Sequence, residues 1–223
     1  DLTDELSVRS GVGYGGGEFA ARNGCIIFCD AGGRLFPHSL GYGRPRPITP
    51  EFGAAASPVI SPDGRRVVYV YSDGKDDLLA SVDLEGSEWP VKLVQGADFY
   101  MQPTWNPGGD RLAWVEWDHP NMPWDGTRLM LGSPQQGSPE MVNVTQIDGG
   151  GDIAAVQPQF SPDGRWLSYI VSDGDWDNLV LFDLERGTQQ VIIKGNDFHL
   201  AEPAWVQGRR SYGWNSRSDT IFS

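Results

Sequence analysis

Residues 157–173 form the stretch QPQFSPDGRWLSYIVSD, in which a short apolar run meets a Pro-Asp-Gly turn and a longer apolar run follows. Pro162 fixes φ for the turn, the Asp163 side chain can bond to nearby backbone, and Gly164 permits a positive φ. The flanks are rich in aromatic and β-branched residues, which favour strands. This stretch therefore predicts a β-hairpin.

The same phrase recurs along the chain. Each copy has a proline two positions before a large apolar residue. These pairs are Pro58 and Ile60, Pro103 and Trp105, Pro158 and Phe160, and Pro203 and Trp205. The spacing is about 45 residues, with one insertion of about ten, and repeats of this length made of short strands indicate β-propeller blades. We expect the four apolar residues to occupy equivalent positions between blades.

The predicted fold is all-β, a β-propeller segment of four-stranded antiparallel blades, because no stretch shows sustained helical periodicity. The whole chain, residues 1–223, is interpreted as one propeller fragment. Its blades cover residues 11–49, 55–94, 99–145 and 152–193, with a partial fifth over 200–223. We expect an open arc, with pairing of residues 1–10 against 220–222 as the alternative that would close a ring. Open strand edges would favour self-association between copies.

The first blade has an unusual glycine-rich beginning. We expect residues 11–19 to form its innermost strand, where backbones crowd near the propeller axis, and residues 46–49 to form its last strand. Gly11, Gly13 and Gly16 also match the dinucleotide pattern GxGxxG. That pattern requires a strand before it and a helix after it, whereas a turn and a strand follow here. The interpretation of residues 11–19 as an innermost strand is therefore preferred to that of a dinucleotide-binding loop.

Composition limits the partners and the compartment. The chain carries 17 basic and 30 acidic residues, a net charge of −13, which argues against binding to nucleic acid or an anionic membrane. In one strand, Cys25 and Cys29 would lie about 13 Å apart, beyond disulfide reach, so we expect buried free thiols and a cytoplasmic location. Neither a membrane-spanning run nor a signal peptide is visible, although the sequence starts without methionine.

Several phrases resemble the propeller domain of the prolyl oligopeptidase family of serine peptidases, especially its bacterial dipeptidyl-peptidase and acylaminoacyl-peptidase branch. They are YGGGEF at 14–19, PITPE at 47–51, two SPDGR turns, GADFY at 96–100, WDHPNMPWDGT at 117–127 and EPAW at 202–205. The SPDG turn is shared with TolB-like propellers, whereas YGGGEF and WDHPNMPWDGT are more specific. The resemblance extends over essentially the whole chain.

The resemblance implies a noncatalytic domain of a peptidase. Family members carry a hydrolase domain after the propeller, with a G-x-S-x-G nucleophile elbow, and this sequence has no such serine. The expected partners are therefore a hydrolase domain of the same parent chain and a peptide substrate. The resemblance implies that the propeller caps the active site and excludes large folded substrates. No cofactor is expected. The alternative is a TolB-like scaffold that binds a protein partner.

The insertion at residues 118–126 supplies most of the candidate site. Pro120 and Pro123 stiffen this loop, which is expected on the rim that collects the connections after the second and fourth strands of each blade. The candidates that would face substrate or partner are Asp118, His119, Met122, Trp124 and Asp125, together with Glu18 from YGGGEF. The alternative is that Trp124 folds back and caps the blade.

Carboxylates are frequent on the same rim, where they could attract the amino end of a peptide or a basic surface. Asp173, Asp175 and Asp177 match the start of a calcium loop. The match is incomplete, because the glycine at the sixth position and the downstream glutamate are missing. No other metal site is expected.

Overall fold

The computed structural model describes residues 6–39, 43–135, 138, 140–172 and 174–222. Within these residues the chain forms four antiparallel sheets in chain order and a final hairpin, with no helix. Three of the sheets have four strands and the first has three. This confirms the predicted all-β class with antiparallel propeller blades.

The strands follow one another within each sheet without crossovers. The first blade has β1 (Phe19–Arg22), β2 (Cys25–Cys29) and β3 (Leu35–Ser39); the second has β4 (Ala54–Ile60), β5 (Arg66–Ser72), β6 (Asp77–Asp83) and β7 (Val91–Val94). The third has β8 (Phe99–Trp105), β9 (Leu112–Trp117), β10 (Arg128–Pro134) and β11 (Met141–Gly149). The fourth has β12 (Ala154–Phe160), β13 (Trp166–Ser172), β14 (Asp177–Asp183) and β15 (Thr188–Lys194), and the hairpin has β16 (Gly213–Trp214) and β17 (Ile221–Phe222).

Apolar cores fill the spaces between successive blades. Because side chains alternate along a strand, β5 turns Val67 and Tyr69 toward the first blade and Val68 and Val70 toward the third. One further core joins the third blade to the fourth, and another joins the fourth blade to residues near the end of the chain, among them Leu200 and Tyr212. Burial on both sheet faces explains the nearly continuous apolar runs of the middle strands.

Three of the four recurring apolar residues have the predicted interblade position. Ile60 is buried in the core between the first two blades, and Trp105 and Phe160 pack against the next two cores. The prediction is wrong for Trp205, which is 49% exposed. The reason is that residues 203–205 form no strand, so Trp205 lies outside any interblade core.

The Ser-Pro-Asp-Gly turn is closed by the same hydrogen bonds in both copies. In the fourth blade, Ser161 Oγ donates to Asp163 and accepts from the Trp166 N–H at 2.9 Å. The Arg165 N–H donates to Asp163 Oδ1 at 3.1 Å. The Ser161 hydroxyl is the main cause of the lowered pKa of the Asp163 carboxyl; desolvation opposes it, and the Arg165 N–H adds a smaller lowering.

Replacing Asp163 with alanine should destabilise the protein by about 1 kcal/mol at neutral pH, because the carboxylate organises the turn. A carboxyl whose folded-state pKa is lowered stabilises the fold above its unfolded pKa and loses that contribution as pH falls through the folded pKa. The difference between the two proteins should therefore shrink as the pH falls below about 4, as followed by urea denaturation from pH 7 to pH 2. Asp152→Ala, at an exposed aspartate, is the control, and a pH-independent difference would contradict this role.

The innermost strands share a backbone irregularity at the residue before each proline. Ser57, Gln102 and Gln157 have φ values of 47°, 53° and 58°, and the strand register shifts at each position. The glutamine and serine side chains at these positions bond to the C-terminal segment, defined here as residues 203–212. That segment therefore crosses the inner strands of successive blades.

The C-terminal segment departs from the predicted fifth blade. Gly16 pairs with Gln207 in a parallel bridge, and the Gln207 N–H donates to the Gly15 carbonyl at 2.9 Å. The Gln102 and Gln157 side chains bond to Arg209 and Ser211. These contacts occupy the backbone groups that a first strand would use, and among the described residues after this segment only the hairpin of β16 and β17 forms.

Three other local predictions are corrected. Residues 11–18 are not an innermost strand, since β1 begins at Phe19, and residues 46–49 form no strand. Residues 11–18 include three consecutive glycines with positive φ, Gly15, Gly16 and Gly17, and this conformation does not suit an extended strand.

The start of the chain pairs with the first blade. Val8 and Asp30 form an antiparallel bridge, which joins residues 7–9 to the end of β2 and the turn that follows it. The ring-closing pairing with residues 220–222 therefore does not form among the described residues, while residues 1–5 lie outside them.

The two cysteines are free thiols in β2, as predicted. Cys29 is buried, and desolvation raises its pKa to about 12. Cys25 is only partly buried, so the expectation of two buried thiols holds for Cys29 alone. No helix among the described residues is long and apolar enough to span a membrane.

Candidate functional site

The start of the insertion loop is held by charged contacts. Asp118 accepts hydrogen bonds from the Asp98 N–H at 3.0 Å and from Arg128 Nη1 at 2.8 Å. The His119 N–H donates to Asp98 at 2.9 Å, and its Nδ1 lies 3.0 Å from the same carboxylate. The backbone N–H and then the ring of His119 lower the pKa of Asp98. These bonds fix the direction in which the loop leaves β9.

The far end of the loop is closed on itself and on the next blade. Asp125 Oδ2 accepts from the Met122 N–H at 3.1 Å, and the Asp125 N–H donates to the Met122 carbonyl at 2.9 Å. Asn121 Nδ2 donates to the Gly151 carbonyl at 2.5 Å. Asp118 and Asp125 therefore hold the loop in place, and neither lines the adjoining cavity.

Beside the loop lies a cavity of about 420 Å³, hereafter the aromatic cavity. Trp124 packs against Trp205 with ring centroids 4.3 Å apart, and Tyr14 meets Trp205 edge to face at 5.8 Å. His119 and Met122 also line the cavity. Its walls thus combine the insertion loop, the glycine-rich segment of the first blade and the C-terminal segment.

The floor of the aromatic cavity comes from the third blade. Phe99 stacks on Trp117 at 5.1 Å and contacts the His119 ring at 4.7 Å. Met101 and Trp117 are buried together with Ala204 of the C-terminal segment. Because the Trp117 ring and its neighbours are packed beneath the loop, the cavity has a rigid apolar base.

A second cavity of about 370 Å³ lies on the other side of Trp124 and shares Pro123, Trp124 and Ala204 with the first. It is more polar, with Ser172, Asp177, His199 and Glu202 in its wall. The Asp177 carboxylate accepts from Ser172 Oγ and from the backbone N–H groups of Leu200 and Ala201. His199 Nδ1 lies 3.5 Å from Asp177 Oδ2.

The carboxylates are placed differently from the predicted acidic mouth. In the aromatic cavity the only acidic residue among the described lining residues is Asp77, whose pKa is raised chiefly by burial. Within the calcium pattern, Asp175 is exposed and Asp177 is occupied by the hydrogen bonds above, while Asp173 lies outside the described residues. The described residues contain no group of three metal-ligating side chains.

Glu18 lies on the first blade, where its Oε1 accepts from the Gly16 N–H at 3.2 Å. It lines neither cavity. Of the six candidate residues, the structure brings His119, Met122 and Trp124 into one cavity wall and leaves Asp118, Asp125 and Glu18 outside it. Their proposed role toward substrate or partner stays a prediction.

Sequence reasoning does not select Tyr14, Phe99, Trp205 or Gln207 as site residues, although all four line the aromatic cavity. Tyr14 and Phe99 belong to two of the phrases that carry the resemblance, YGGGEF and GADFY. The repeat pattern places Trp205 in a blade core instead. The sequence signal that could identify Tyr14 and Phe99 is that each is an aromatic residue within a phrase that is not needed to form the turns and strands of a blade.

The successive four-stranded sheets define a β-propeller. Its structural relatives are propeller-bearing peptidases of the prolyl oligopeptidase family and TolB-like propellers. A puromycin-hydrolyzing peptidase from Mycobacterium tuberculosis is 28% identical, with a TM-score of 0.83 over 95% of this chain and 36% of that chain. A puromycin hydrolase is 26% identical, with a TM-score of 0.82 over 96% of this chain and 36% of that chain.

TolB from Acinetobacter baumannii aligns with a TM-score of 0.55 at 16% identity, over 75% of this chain and 40% of that chain, which shows the shared fold alone. The chain spans about a third of the length of the two peptidases. No protein-family model and no curated protein sequence matches the chain.

Proposed function

We propose that this chain is the noncatalytic propeller region of a serine peptidase of the prolyl oligopeptidase family, and that its rim controls access to the hydrolase active site of the same protein. The observation that carries the proposal is the alignment of almost the whole chain with the propeller regions of two puromycin-hydrolyzing enzymes. The dipeptidyl-peptidase or acylaminoacyl-peptidase branch and a cytoplasmic location, supported by the free thiols, belong to the same proposal.

The aromatic cavity is the proposed contact for substrate. A concave, mainly apolar space with a few polar groups is typical of ligand sites, and the volume of the aromatic cavity, about 420 Å³, suits the side chain of a short peptide. Trp124 and Met122 are presented by a loop held at both ends, so little conformational entropy is lost when substrate binds. Large folded proteins would not reach these groups between the rim loops.

In the full-length enzyme, changing Met122 and Trp124 together to alanine should lower kcat/KM for short peptides about tenfold, because an apolar contact with substrate is lost. The melting temperature should change little, since both residues are partly exposed and neither belongs to an interblade core. Steady-state kinetics and thermal unfolding test this. Ile192→Ala with Ile193→Ala removes two exposed apolar side chains from β15 and should leave both quantities unchanged.

Two outcomes would contradict the proposal. Lower stability with unchanged kinetics would make the loop a cap over the third blade. A complete reading frame without a G-x-S-x-G segment, together with no labelling by a fluorophosphonate, would instead support a TolB-like scaffold that binds a protein partner.

A further inference from the structure

A separate cavity of about 260 Å³ lies between the first two blades, and we call it the interblade pocket. It shares no lining residue with the aromatic cavity or with its polar neighbour. Four aromatic residues surround it, and two aspartates and one lysine stand beside them. They are Phe52, Tyr69, Tyr71 and Trp89, with Asp73, Asp76 and Lys92.

Two of these aromatic rings are exposed to solvent. Trp89 is 72% exposed and Phe52 is 56% exposed, although both border a recess rather than a flat surface. The Phe52 ring meets Tyr71 edge to face with centroids 6.1 Å apart. Large aromatic side chains grouped around one opening are a recognised mark of a binding surface.

An independent observation comes from the inner wall. Tyr69 is only 3% exposed and lines the pocket, and its hydroxyl oxygen is not among the fully enclosed polar atoms of the described residues that lack a partner, so it is reached from the pocket. Burial raises its pKa well above the usual range, so the hydroxyl stays neutral and offers its lone pairs. A phenol hydroxyl usually has a hydrogen-bond partner, and a ligand in the pocket can supply it.

The charges favour a cation at the opening. Asp73 accepts from the backbone N–H groups of Asp76 and Lys75 at 2.8 Å and 2.9 Å, and these bonds, that of Asp76 first, lower its pKa. It is therefore anionic at neutral pH. Asp76 lies beside it and is 3.9 Å from the Lys75 ammonium. Lys75 and Lys92 are the opposing charges, each on an exposed flexible stem, so the Asp73 carboxylate is the main attraction for a cation.

We infer that the interblade pocket binds a partly alkylated ammonium group, that is, the protonated form of a secondary or tertiary amine. The rings attract the cation through their π faces and cover its alkyl groups. The remaining N–H donates to the Tyr69 hydroxyl, and Asp73 and Asp76 add long-range attraction. A small amine and a methylated lysine side chain share this chemistry.

The probes are protonated dimethylaminoethanol, choline, which lacks the N–H, and isoamyl alcohol, the uncharged analogue of the same shape. Titration calorimetry on the full-length protein should show binding of dimethylaminoethanol about fivefold tighter than isoamyl alcohol and about threefold tighter than choline. Equal binding of all three, or none by dimethylaminoethanol, would overturn the inference. A peptide containing dimethyl-lysine separates the sources, because it should outcompete dimethylaminoethanol only if a protein segment is the ligand.

Variants assign the effect to the pocket. Trp89→Leu should weaken dimethylaminoethanol binding about fivefold, whereas Trp176→Leu, at another exposed tryptophan, should not. Tyr69→Phe should abolish the preference over choline while keeping both cations bound. Lys92→Gln should tighten binding and Asp73→Asn should weaken it, each about twofold at moderate salt. Unchanged affinity across these variants, with the fold verified by circular dichroism, would place the binding elsewhere and refute the assignment.

Discussion

Changing Trp114 to alanine should destabilise the protein by about 3–5 kcal/mol, since a buried tryptophan loses both transfer free energy and packing when it is truncated. Trp114 is fully buried between the second and third blades, where it packs with Val68, Leu79 and Leu112. Its Nε1 donates to Glu116 at 2.8 Å. The alanine variant would leave a large cavity at this interface, and guanidinium denaturation measures the loss.

Two variants show whether position or residue type causes the loss. Trp114→Phe keeps an aromatic ring in the same space and should cost about half as much as the alanine substitution. Trp89→Ala removes a tryptophan that is largely in solvent and should change the free energy of unfolding by less than about 0.5 kcal/mol. Equal losses from Trp114→Ala and Trp89→Ala would show that the second and third blades do not pack around this ring.

The blade architecture is predictable because its signals are local. The turn after Ser161 is closed by bonds that reach no further than five residues, so the same letters give the same turn in each copy. The side chains of β5 point alternately to the two faces of the blade, and this alternation depends on that strand alone. Together they fix where strands begin, which faces are buried and how long a blade is. The repeat pattern alone therefore places Ile60, Trp105 and Phe160 correctly.

The C-terminal segment cannot be predicted in this way, because its position depends on contacts between distant residues. Ser57 bonds to Gln207, 150 residues away, and Gln207 bonds to the Tyr100 carbonyl, 107 residues away. The Pro203-Ala204-Trp205 phrase matches the repeat, yet local pattern gives way to these tertiary contacts. The first blade is similar, since its glycine-rich segment bonds to Gln207 instead of forming a strand.

The candidate site can be predicted from sequence only in part, because only some of its signals are local. The insertion loop breaks the repeat period, so residues 118–126 stand out by their spacing, and the two prolines indicate a stiff loop. Which side chains of the loop face a cavity depends on contacts with residues that are distant in the sequence. Trp124 meets Trp205 and, through it, Tyr14, and the latter two residues come from opposite ends of the chain. No spacing rule joins them.

The side chain of Gln207 links the two ends of the chain inside the protein. It is buried, accepts from Ser57 Oγ at 2.9 Å and donates from Nε2 to the Tyr100 carbonyl at 2.9 Å. Gln207→Ala would remove the acceptor of the Ser57 hydroxyl and one donor to the Tyr100 carbonyl, both in buried residues beside the aromatic cavity, and each lost buried bond costs about 1–3 kcal/mol. We expect a loss of about 2–4 kcal/mol in the free energy of unfolding, measured by chemical denaturation.

Gln189→Ala is the matched control, because that glutamine is exposed and its Nε2 donates to the Ile147 carbonyl at 2.9 Å. Water can replace this bond, so the cost should stay below about 0.5 kcal/mol. A double-mutant cycle with Ser57→Ala should give a coupling energy of about 1 kcal/mol between the two residues. If Gln207→Ala costs no more than the control and the coupling is zero, the C-terminal segment does not lie against the inner strands, and Trp205 would no longer be positioned beside Trp124.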